Sequence, residues 1–148
     1  NLYYDHDRPS GWFNSATGFG ALGYAAPASV GAQLGAPGST VVCLTGDGGL
    51  QFSLAELGSA KDIDAPVIFV VWNNNGYQEI ETSMVDAGIK PVGVTPQAPD
   101  FGLIAKSYGI DFARPTSLGA FASALTDALQ SKAPCLIDLD EMVAESGA

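Results

Sequence analysis

The sequence predicts an α/β domain in which helices cover both faces of a parallel sheet. Strand-like apolar runs alternate with helical segments along the chain, which is the order that parallel sheets require. Two of these runs are rich in β-branched residues, as expected of strands that are buried on both faces. The length of 148 residues suits a single domain with one core, and the sequence contains no internal repeat. We therefore expect one fold and one site.

The N-terminal part of the chain is rich in small residues. Glycine and alanine dominate residues 17–34, which predicts a helix that lies close to another backbone or to a ligand. Turn residues at 35–38 end this helix. The apolar run 40–45 predicts the first strand, buried on both faces, and residues 46–49 follow it as a glycine-rich loop.

The middle of the chain repeats this order of helix, strand and loop. Ser53 and Glu56 have the spacing of a capping box, and they predict a helix that continues to Lys61. Residues 66–72 predict a second buried strand, and residues 73–76 form the loop after it.

The C-terminal part contains a long loop and then two further strands. Residues 81–99 have no hydrophobic period but include three prolines and two glycines, which predicts a long loop of the kind that often has a function. Asp100 predicts the cap of a short helix that reaches Tyr108, and residues 110–113 predict a short strand. Ser117 predicts the start of the last helix, and residues 134–139 predict the last strand. We expect the last helix to turn four side chains inward: Leu118, Phe121, Leu125 and Leu129.

The charge balance excludes two classes of partner. The chain has 6 Lys and Arg against 16 Asp and Glu, and a net charge of -10 repels nucleic acid and anionic membranes. The sequence contains neither an apolar run of about 18 residues nor a signal-peptide pattern, so we expect a cytoplasmic protein. Only 15% of the residues are charged, which suggests that residues 1–35 face another subunit.

The cysteines and the single histidine do not predict a metal or redox site. Cys43 and Cys135 each lie within an apolar run, and their spacing fits no such motif, so we interpret both as reduced core residues. His6 lies in a segment without a pattern, and we expect a surface or interface position rather than a catalytic one.

Oxygen-bearing side chains follow the first two predicted strands. If these strands are neighbours, Asp47 and the asparagines at 73–75 converge at one edge of the sheet. Carboxylate, amide and carbonyl oxygens suit Mg²⁺, which usually binds together with substrate phosphates. No lysine or arginine lies between Arg8 and Lys61, so a phosphate would depend on the metal and on backbone N–H groups in the glycine-rich loop. The pattern is neither a Walker A loop nor a dinucleotide fingerprint.

Each half of this pattern also has a simpler interpretation. Gly-Asp-Gly and Asn-Gly are common turn sequences, and either one alone indicates no more than a turn. The functional interpretation depends on their pairing, since each follows a predicted strand and one helix lies between them.

Two segments resemble the thiamine diphosphate enzymes. Gly46-Asp47-Gly48, followed 27 positions after the aspartate by Asn74 within Asn-Asn-Asn-Gly-Tyr, is similar to the cofactor signature of that family. The segment from Gly20 to Gly31 resembles the one that precedes this signature in benzoylformate decarboxylase and acetolactate synthase. The resemblance extends over nearly all of residues 1–148 and corresponds to the C-terminal, diphosphate-binding domain.

The resemblance implies ligands for thiamine diphosphate and Mg²⁺. The side chains of Asp47 and Asn74 and the backbone carbonyl of Gly76 would bind the metal. Gly48 and Gly49 would offer backbone N–H groups to the diphosphate, and one hydroxyl contact is missing because many relatives have serine in place of Gly49. The same signature includes Tyr77 among the cofactor contacts.

The resemblance also implies a catalytic part for Leu22. This residue matches the apolar side chain that lies under the thiazolium ring and bends the cofactor, and its N–H would donate to the pyrimidine. The carbonyl of Gly20 would accept from the 4'-amino group. The alternative is that Leu22 is an ordinary core leucine.

The implied activity is decarboxylation of a 2-oxo acid, transfer to a second carbonyl compound, or both. In the family, the glutamate that protonates the aminopyrimidine belongs to a pyrimidine-binding domain, usually on a neighbouring chain. This chain would therefore need that domain as a partner, within a homo-oligomer (a dimer or tetramer), and would be inactive by itself. Two alternatives stay open: a separate subunit of a two-subunit decarboxylase, and a non-catalytic domain that keeps the fold.

The residues after Tyr77 depart from two branches of the family. Acetolactate synthases carry a methionine and then a tryptophan where this chain has Gln78 and its neighbours, and pyruvate decarboxylases place a glutamate at the position of Ile80. The run Gly-Tyr-x-Glu-Ile looks closer to decarboxylases of guanidino 2-oxo acids. Glu79 within it either faces the substrate or is a solvated loop carboxylate.

Overall fold

A computed structural model of the chain describes residues 11–15 and 18–146. His6, the start of the predicted helix at residue 17 and part of the interface predicted for residues 1–35 lie outside these ranges. Helical segments separate the four strands as predicted, but two of these segments contain two helices each. In chain order they are α1 (Ala25–Gly35), β1 (Val41–Gly46), α2 (Asp47–Gln51), α3 (Ala55–Asp62), β2 (Val67–Asn73), α4 (Gln78–Asp86), α5 (Phe101–Tyr108), β3 (Asp111–Ala113), α6 (Leu118–Ser131), β4 (Cys135–Asp140) and α7 (Glu141–Glu145).

The four strands form one parallel sheet in the order β1-β2-β4-β3. On one face, apolar side chains of β2 such as Phe69 and Val71 pack in a cluster with residues of α1, α3 and α5. On the other face, Ile68, Val70 and Ile137 pack against α6. The predicted fold class is thus confirmed, including helices on both faces of the sheet.

The first strand is less buried than predicted. Val42 and Leu44 are 51% and 53% exposed, whereas β2 is buried along most of its length. The reason is non-local: β1 is an edge strand, and α6 packs over β2 and β4 rather than over β1. The prediction that residues 40–45 are buried on both faces is therefore wrong.

The helix caps are only partly as predicted. Asp100 accepts hydrogen bonds from the N–H groups of Gly102 and Leu103, and Ser117 accepts one from the N–H of Ala120, so both caps are confirmed. The prediction of a capping box at Ser53 is wrong, because α3 begins at Ala55 without a side-chain cap. The N–H of Glu56 already donates to the carbonyl of Ser53, so the serine hydroxyl has no N–H there to accept from.

Two helix boundaries differ from prediction. The first helix begins at Ala25 because Gly20 and Gly23 adopt positive φ angles of 70° and 83°, which hold residues 18–24 in a loop. Residues 81–86 belong to α4 rather than to a loop. Ile80 and Met84 have helical spacing in α4, but Ile80 lies outside the range 81–99 assigned to the loop, and the helix buries none of its residues.

Of the four α6 side chains that we expect to face the core, two pack against the sheet and two are exposed. Phe121 and Leu125 pack against the sheet together with Ala128, as expected. Leu118 and Leu129 are instead exposed, because the buried stripe runs through 121, 125 and 128 and the helix turns residue 129 away from it. The short helix α7 was not predicted.

None of the helices within 11–15 and 18–146 is long and apolar enough to cross a membrane.

The burial of the two cysteines can be tested by chemical labelling. Cys43 and Cys135 are free and buried, and burial raises the pKa of each thiol to about 11. At pH 8 only about one in a thousand of such thiols is the reactive thiolate. We expect iodoacetamide to label neither cysteine in the folded chain and both after unfolding in guanidinium. Labelling of the folded chain at the rate of a free thiol would show that the thiol concerned is accessible.

Candidate functional site

A cavity of about 750 Å³ opens at the carboxyl ends of β1 and β2. Its wall includes the loop at 21–24, the start of α2 and most of residues 74–80. The two strand ends meet because β1 and β2 are paired in register, with Gly46 opposite Trp72. Ligands of parallel α/β sheets bind in this position, outside the carboxyl ends of the strands.

Three oxygen-bearing groups converge on the wall of this cavity. The amide group of Asn74 faces Asp47 and Gly76, with one terminal atom 3.2 Å from Asp47 Oδ1 and 3.1 Å from the Gly76 carbonyl oxygen. When the amide nitrogen of Asn74 donates to Gln78 Oε1 at 2.7 Å, that facing atom is the oxygen. The Asn74 amide oxygen, Asp47 Oδ1 and the Gly76 carbonyl oxygen then face one another, which is an arrangement that a divalent cation stabilises. In the other amide orientation, the nitrogen donates to Asp47 and to Gly76.

The carboxylate of Asp47 lacks a protein partner on one side. Asp47 is 1% exposed, and its Oδ2 is buried without a hydrogen-bond partner. Burial raises the pKa of Asp47, while backbone N–H groups, that of Gly48 first, act in the opposite direction. An unpaired buried carboxylate costs folding free energy unless a cation or donor compensates it. The donor set of this site therefore fits a hard divalent cation.

The turn after β2 presents Asn74 and Gly76 to Asp47. Asn75 has a left-handed backbone with φ of 61°, and its N–H donates to Asn73 Oδ1 at 3.1 Å. The N–H of Tyr77 donates to the carbonyl of Val94 at 2.8 Å, which ties the end of the turn to the segment after α4. A Cβ atom on Gly76 would lie 2.8 Å from that same carbonyl oxygen, so only glycine fits there without a shift of the backbone.

The glycines after Asp47 lie in a helix rather than in the predicted loop. Gly46 is the N-cap of α2, and Gly48 and Gly49 belong to its first turn, where N–H groups lack partners within the helix. The physical reason is that the chain enters the helix directly from β1, without an intervening residue. A Cβ atom on Gly48 would lie 2.6 Å from Cδ1 of Tyr77, so the tyrosine ring packs directly on the glycine.

The loop before α1 brings Leu22 to the cavity. Leu22 is 50% exposed on the cavity wall, so the alternative of an ordinary core leucine is wrong. A Cβ atom on Gly23 would lie 2.8 Å from Cβ of Phe52, which shows how closely this loop approaches the end of α2. Gly20 is exposed and does not line the cavity, whereas the next residue, Ala21, does.

The cavity has little charge. Among the described residues that line it, the charged ones are Asp47 and Glu79, and neither lysine nor arginine occurs. The described part of the chain contains no cluster of three His, Cys, Asp or Glu residues that could hold a metal. A metal in this cavity would therefore depend on neutral oxygens beside one carboxylate.

The structure brings seven of the eight predicted site residues to one cavity. These are Leu22, Asp47, Gly48, Gly49, Asn74, Gly76 and Tyr77. Sequence reasoning missed a part for Gln78, whose side chain orients the amide of Asn74. No sequence signal pointed to it, because Asn74 lies in the turn before α4 and the start of that helix at Gln78 was not predicted.

Comparison with known proteins places this chain within a family. The family model described as "Thiamine pyrophosphate enzyme, C-terminal TPP binding domain" matches residues 1–139. The chain is 37% identical over 140 residues to a probable 2-ketoarginine decarboxylase of Pseudomonas aeruginosa, covering 94% of this chain and 25% of that protein. It is 36% identical over 134 residues to the large subunit of acetolactate synthase isozyme 3 of Escherichia coli, covering 87% of this chain and 23% of that protein.

A solved structure has the same fold. The thiamine diphosphate-dependent 4-hydroxybenzoylformate decarboxylase of Rhodococcus jostii aligns with a TM-score of 0.73 and 32% identity, over 81% of this chain and 24% of that one. The chain thus spans about a quarter of the length of the relatives it matches.

Proposed function

Because this chain belongs to the thiamine pyrophosphate enzymes, as their C-terminal TPP-binding domain, we propose that it is the cofactor-binding portion of an enzyme that acts on 2-oxo acids with thiamine diphosphate and Mg²⁺. The observation that carries this proposal is the convergence of Asn74 and the Gly76 carbonyl on the buried carboxylate of Asp47. Thiamine diphosphate would supply the nucleophilic carbon and the electron sink for cleavage of a bond next to a carbonyl.

The residues of this chain would hold and orient the cofactor. Asp47, Asn74 and the Gly76 carbonyl would bind Mg²⁺, and the N–H groups of Gly48 and Gly49 would face the diphosphate. The buried position of Asp47 supports this assignment, since the metal would pair its unpartnered oxygen. The cation would also offset the lack of basic side chains along the cavity.

The organic part of the cofactor would lie on the Leu22 side of the cavity. Leu22 would support the thiazolium ring and so impose the bent, reactive conformation, and this is the catalytic role we propose for it. Gly20 would accept from the 4'-amino group, and Tyr77 would line the diphosphate end next to Gly48. The half-exposed position of Leu22 supports this role, because the side chain is free to contact a ligand.

The rest of the active site would come from outside this chain. We propose that a pyrimidine-binding domain, in the same or a neighbouring chain, supplies the acid for the aminopyrimidine within a cytoplasmic homo-oligomer. Two facts support this part of the proposal: the chain spans about a quarter of its relatives, and apolar side chains at Val42 and Leu44 are half exposed on the cavity wall. Residues 1–148 alone would then be inactive, whether the partner domain is in the same polypeptide or in a separate subunit.

The substrate would be a 2-oxo acid with a cationic tail. Glu79 is exposed at the rim of the cavity, and it is the one charged wall residue, among those described, that we do not assign to the metal. A carboxylate there would attract a guanidinium or ammonium group and would repel an acid without one. The similarity to a probable 2-ketoarginine decarboxylase supports this choice over carboligation of two simple 2-oxo acids.

Release of CO₂ by the full-length protein tests this proposal. We expect release that depends on thiamine diphosphate and Mg²⁺, with 2-ketoarginine preferred to pyruvate. Glu79→Gln should raise KM for 2-ketoarginine about two- to fivefold and leave KM for neutral 2-oxo acids unchanged. Glu81→Gln, in the same helix but outside the cavity wall, is the matched control. A preference for neutral acids that Glu79→Gln does not alter would contradict the substrate assignment, and no turnover of any 2-oxo acid would contradict the activity.

A further inference from the structure

A second cavity, of about 350 Å³, lies beside the 73–76 turn and contains a buried carboxylate. Asp138 lies in β4, paired with Val71 of β2, and is 2% exposed. Its neighbours along β4 are apolar residues of the core. A buried charge at this position is costly unless its partners compensate it.

Both oxygens of Asp138 accept hydrogen bonds from side chains. Oδ2 accepts from Arg114, at 2.9 Å from Nε and 2.8 Å from Nη2. Oδ1 accepts from Nδ2 of Asn73 at 2.9 Å. The arginine thus fixes the carboxylate, and the carboxylate fixes the side chain of Asn73.

The side chain of Asn73 also bonds to the backbone of the 73–76 turn. Since its Nδ2 must face a carboxylate, its Oδ1 faces the other way and accepts the N–H of Asn75 at 3.1 Å. This bond holds Asn75 in its left-handed conformation. Asn75 lies between Asn74 and Gly76, two of the three groups that we assign to Mg²⁺.

We propose that Asp138, held by Arg114, is a positioning residue for the metal site. It acts through Asn73 and sets the backbone of the turn, so that the Asn74 amide and the Gly76 carbonyl face Asp47. The inference rests on the proposed function, because it assumes that these groups bind Mg²⁺. Arg114 is half exposed, and an ion pair with an exposed partner adds little net stability in general, so a positioning role accounts for the buried Asp138 better than stability does.

The test is the Mg²⁺ dependence of thiamine diphosphate binding by the full-length protein, measured by calorimetry. Asp138→Asn should raise the Mg²⁺ concentration needed for half-maximal binding by about 10-fold to 100-fold, the usual effect of a residue that orients a metal ligand. At saturating Mg²⁺, kcat should stay close to the wild-type value, which a general loss of structure would not allow.

Asp140→Asn is the matched control. Asp140 lines the same cavity and caps α7 by accepting from the N–H of Met142, which an asparagine side chain can also do. Asp140→Asn removes the same charge next to Asn73, its register partner in the sheet, but it leaves the hydrogen bond between Asp138 and Asn73 intact. We therefore expect no change in the Mg²⁺ dependence. An equal shift in both variants would show a field effect and would overturn the inference.

Asn73→Ala provides a second route that spares the buried charge. It should cause the same shift as Asp138→Asn, and the double variant should add nothing, because both act through one chain of hydrogen bonds. Additive shifts, or a shift below twofold in Asn73→Ala, would overturn the inference even if Asp138→Asn failed to fold. Wild-type binding that ignores Mg²⁺ would instead contradict the proposed function itself, and with it this inference.

Discussion

Asp47→Ala in the full-length protein is expected to abolish Mg²⁺-dependent binding of thiamine diphosphate. Asp47 is the only charged member of the three groups that converge on the cavity wall, and a hard cation loses most of its attraction without it. The loss should exceed the roughly 100-fold that removal of an orienting residue causes. Calorimetric titration with thiamine diphosphate at several Mg²⁺ concentrations measures it directly.

Asp47→Asn separates metal binding from folding. Burial raises the pKa of Asp47 in the folded state, so its ionised form is less favourable there than in the unfolded chain. For an acid, this shift costs stability above its unfolded pKa, and the cost is therefore present at pH 7. The asparagine variant should unfold at the same or a higher temperature without ligand, yet should lose metal binding. Asp86→Asn, an exposed change of equal charge outside the cavity wall, should alter neither property.

Unchanged metal dependence in Asp47→Ala would show that the metal ligands lie elsewhere. A large fall in the unfolding temperature of ligand-free Asp47→Asn would show that the carboxylate stabilises the fold without a metal. It would contradict the interpretation that Oδ2 of Asp47 lacks a partner until a cation binds.

Gly76→Ala is expected to have the second largest effect. Its Cβ would lie 2.8 Å from the Val94 carbonyl oxygen, which is held by the N–H of Tyr77 and cannot move cheaply. We expect a loss of about 1–3 kcal/mol in the free energy of unfolding, as for other overpacked sites. The Mg²⁺ requirement should rise as well, because the Gly76 carbonyl must shift with its backbone.

Gly38→Ala is the control for this substitution. Nothing lies within 4 Å of a Cβ atom on Gly38, so chemical denaturation should show a change below about 0.5 kcal/mol. If Gly76→Ala also left the stability and the Mg²⁺ requirement unchanged, the turn would be more adaptable than its contacts indicate.

Local signals in the sequence were sufficient for most of the fold. The β-branched runs predicted β1 and β2, and the side chains of Asp100 and Ser117 cap their helices as expected. These predictions hold because each depends on residues close together in the chain. The pairing of β1 with β2 was a supposition, and their direct contact brings Asp47 to Asn74.

The failures depend on non-local packing. The exposure of Val42 follows from the position of α6 over other strands, which no pattern within β1 records. The contact of Asp138 with Asn73 follows from the register between β4 and β2, across 65 residues of chain. Helix α4 was not predicted because it begins at Gln78, before the range assigned to the loop, and its apolar residues Ile80 and Met84 are not buried by the described chain.

Calorimetric titration of the full-length protein with thiamine diphosphate, with Mg²⁺ and again with EDTA, tests the central claim most directly. We predict saturable binding of one cofactor per chain with Mg²⁺ and none with EDTA, because the metal links the buried Asp47 carboxylate to the diphosphate in a cavity whose described wall lacks basic side chains. Equal binding with EDTA, or no binding under either condition, would contradict the account.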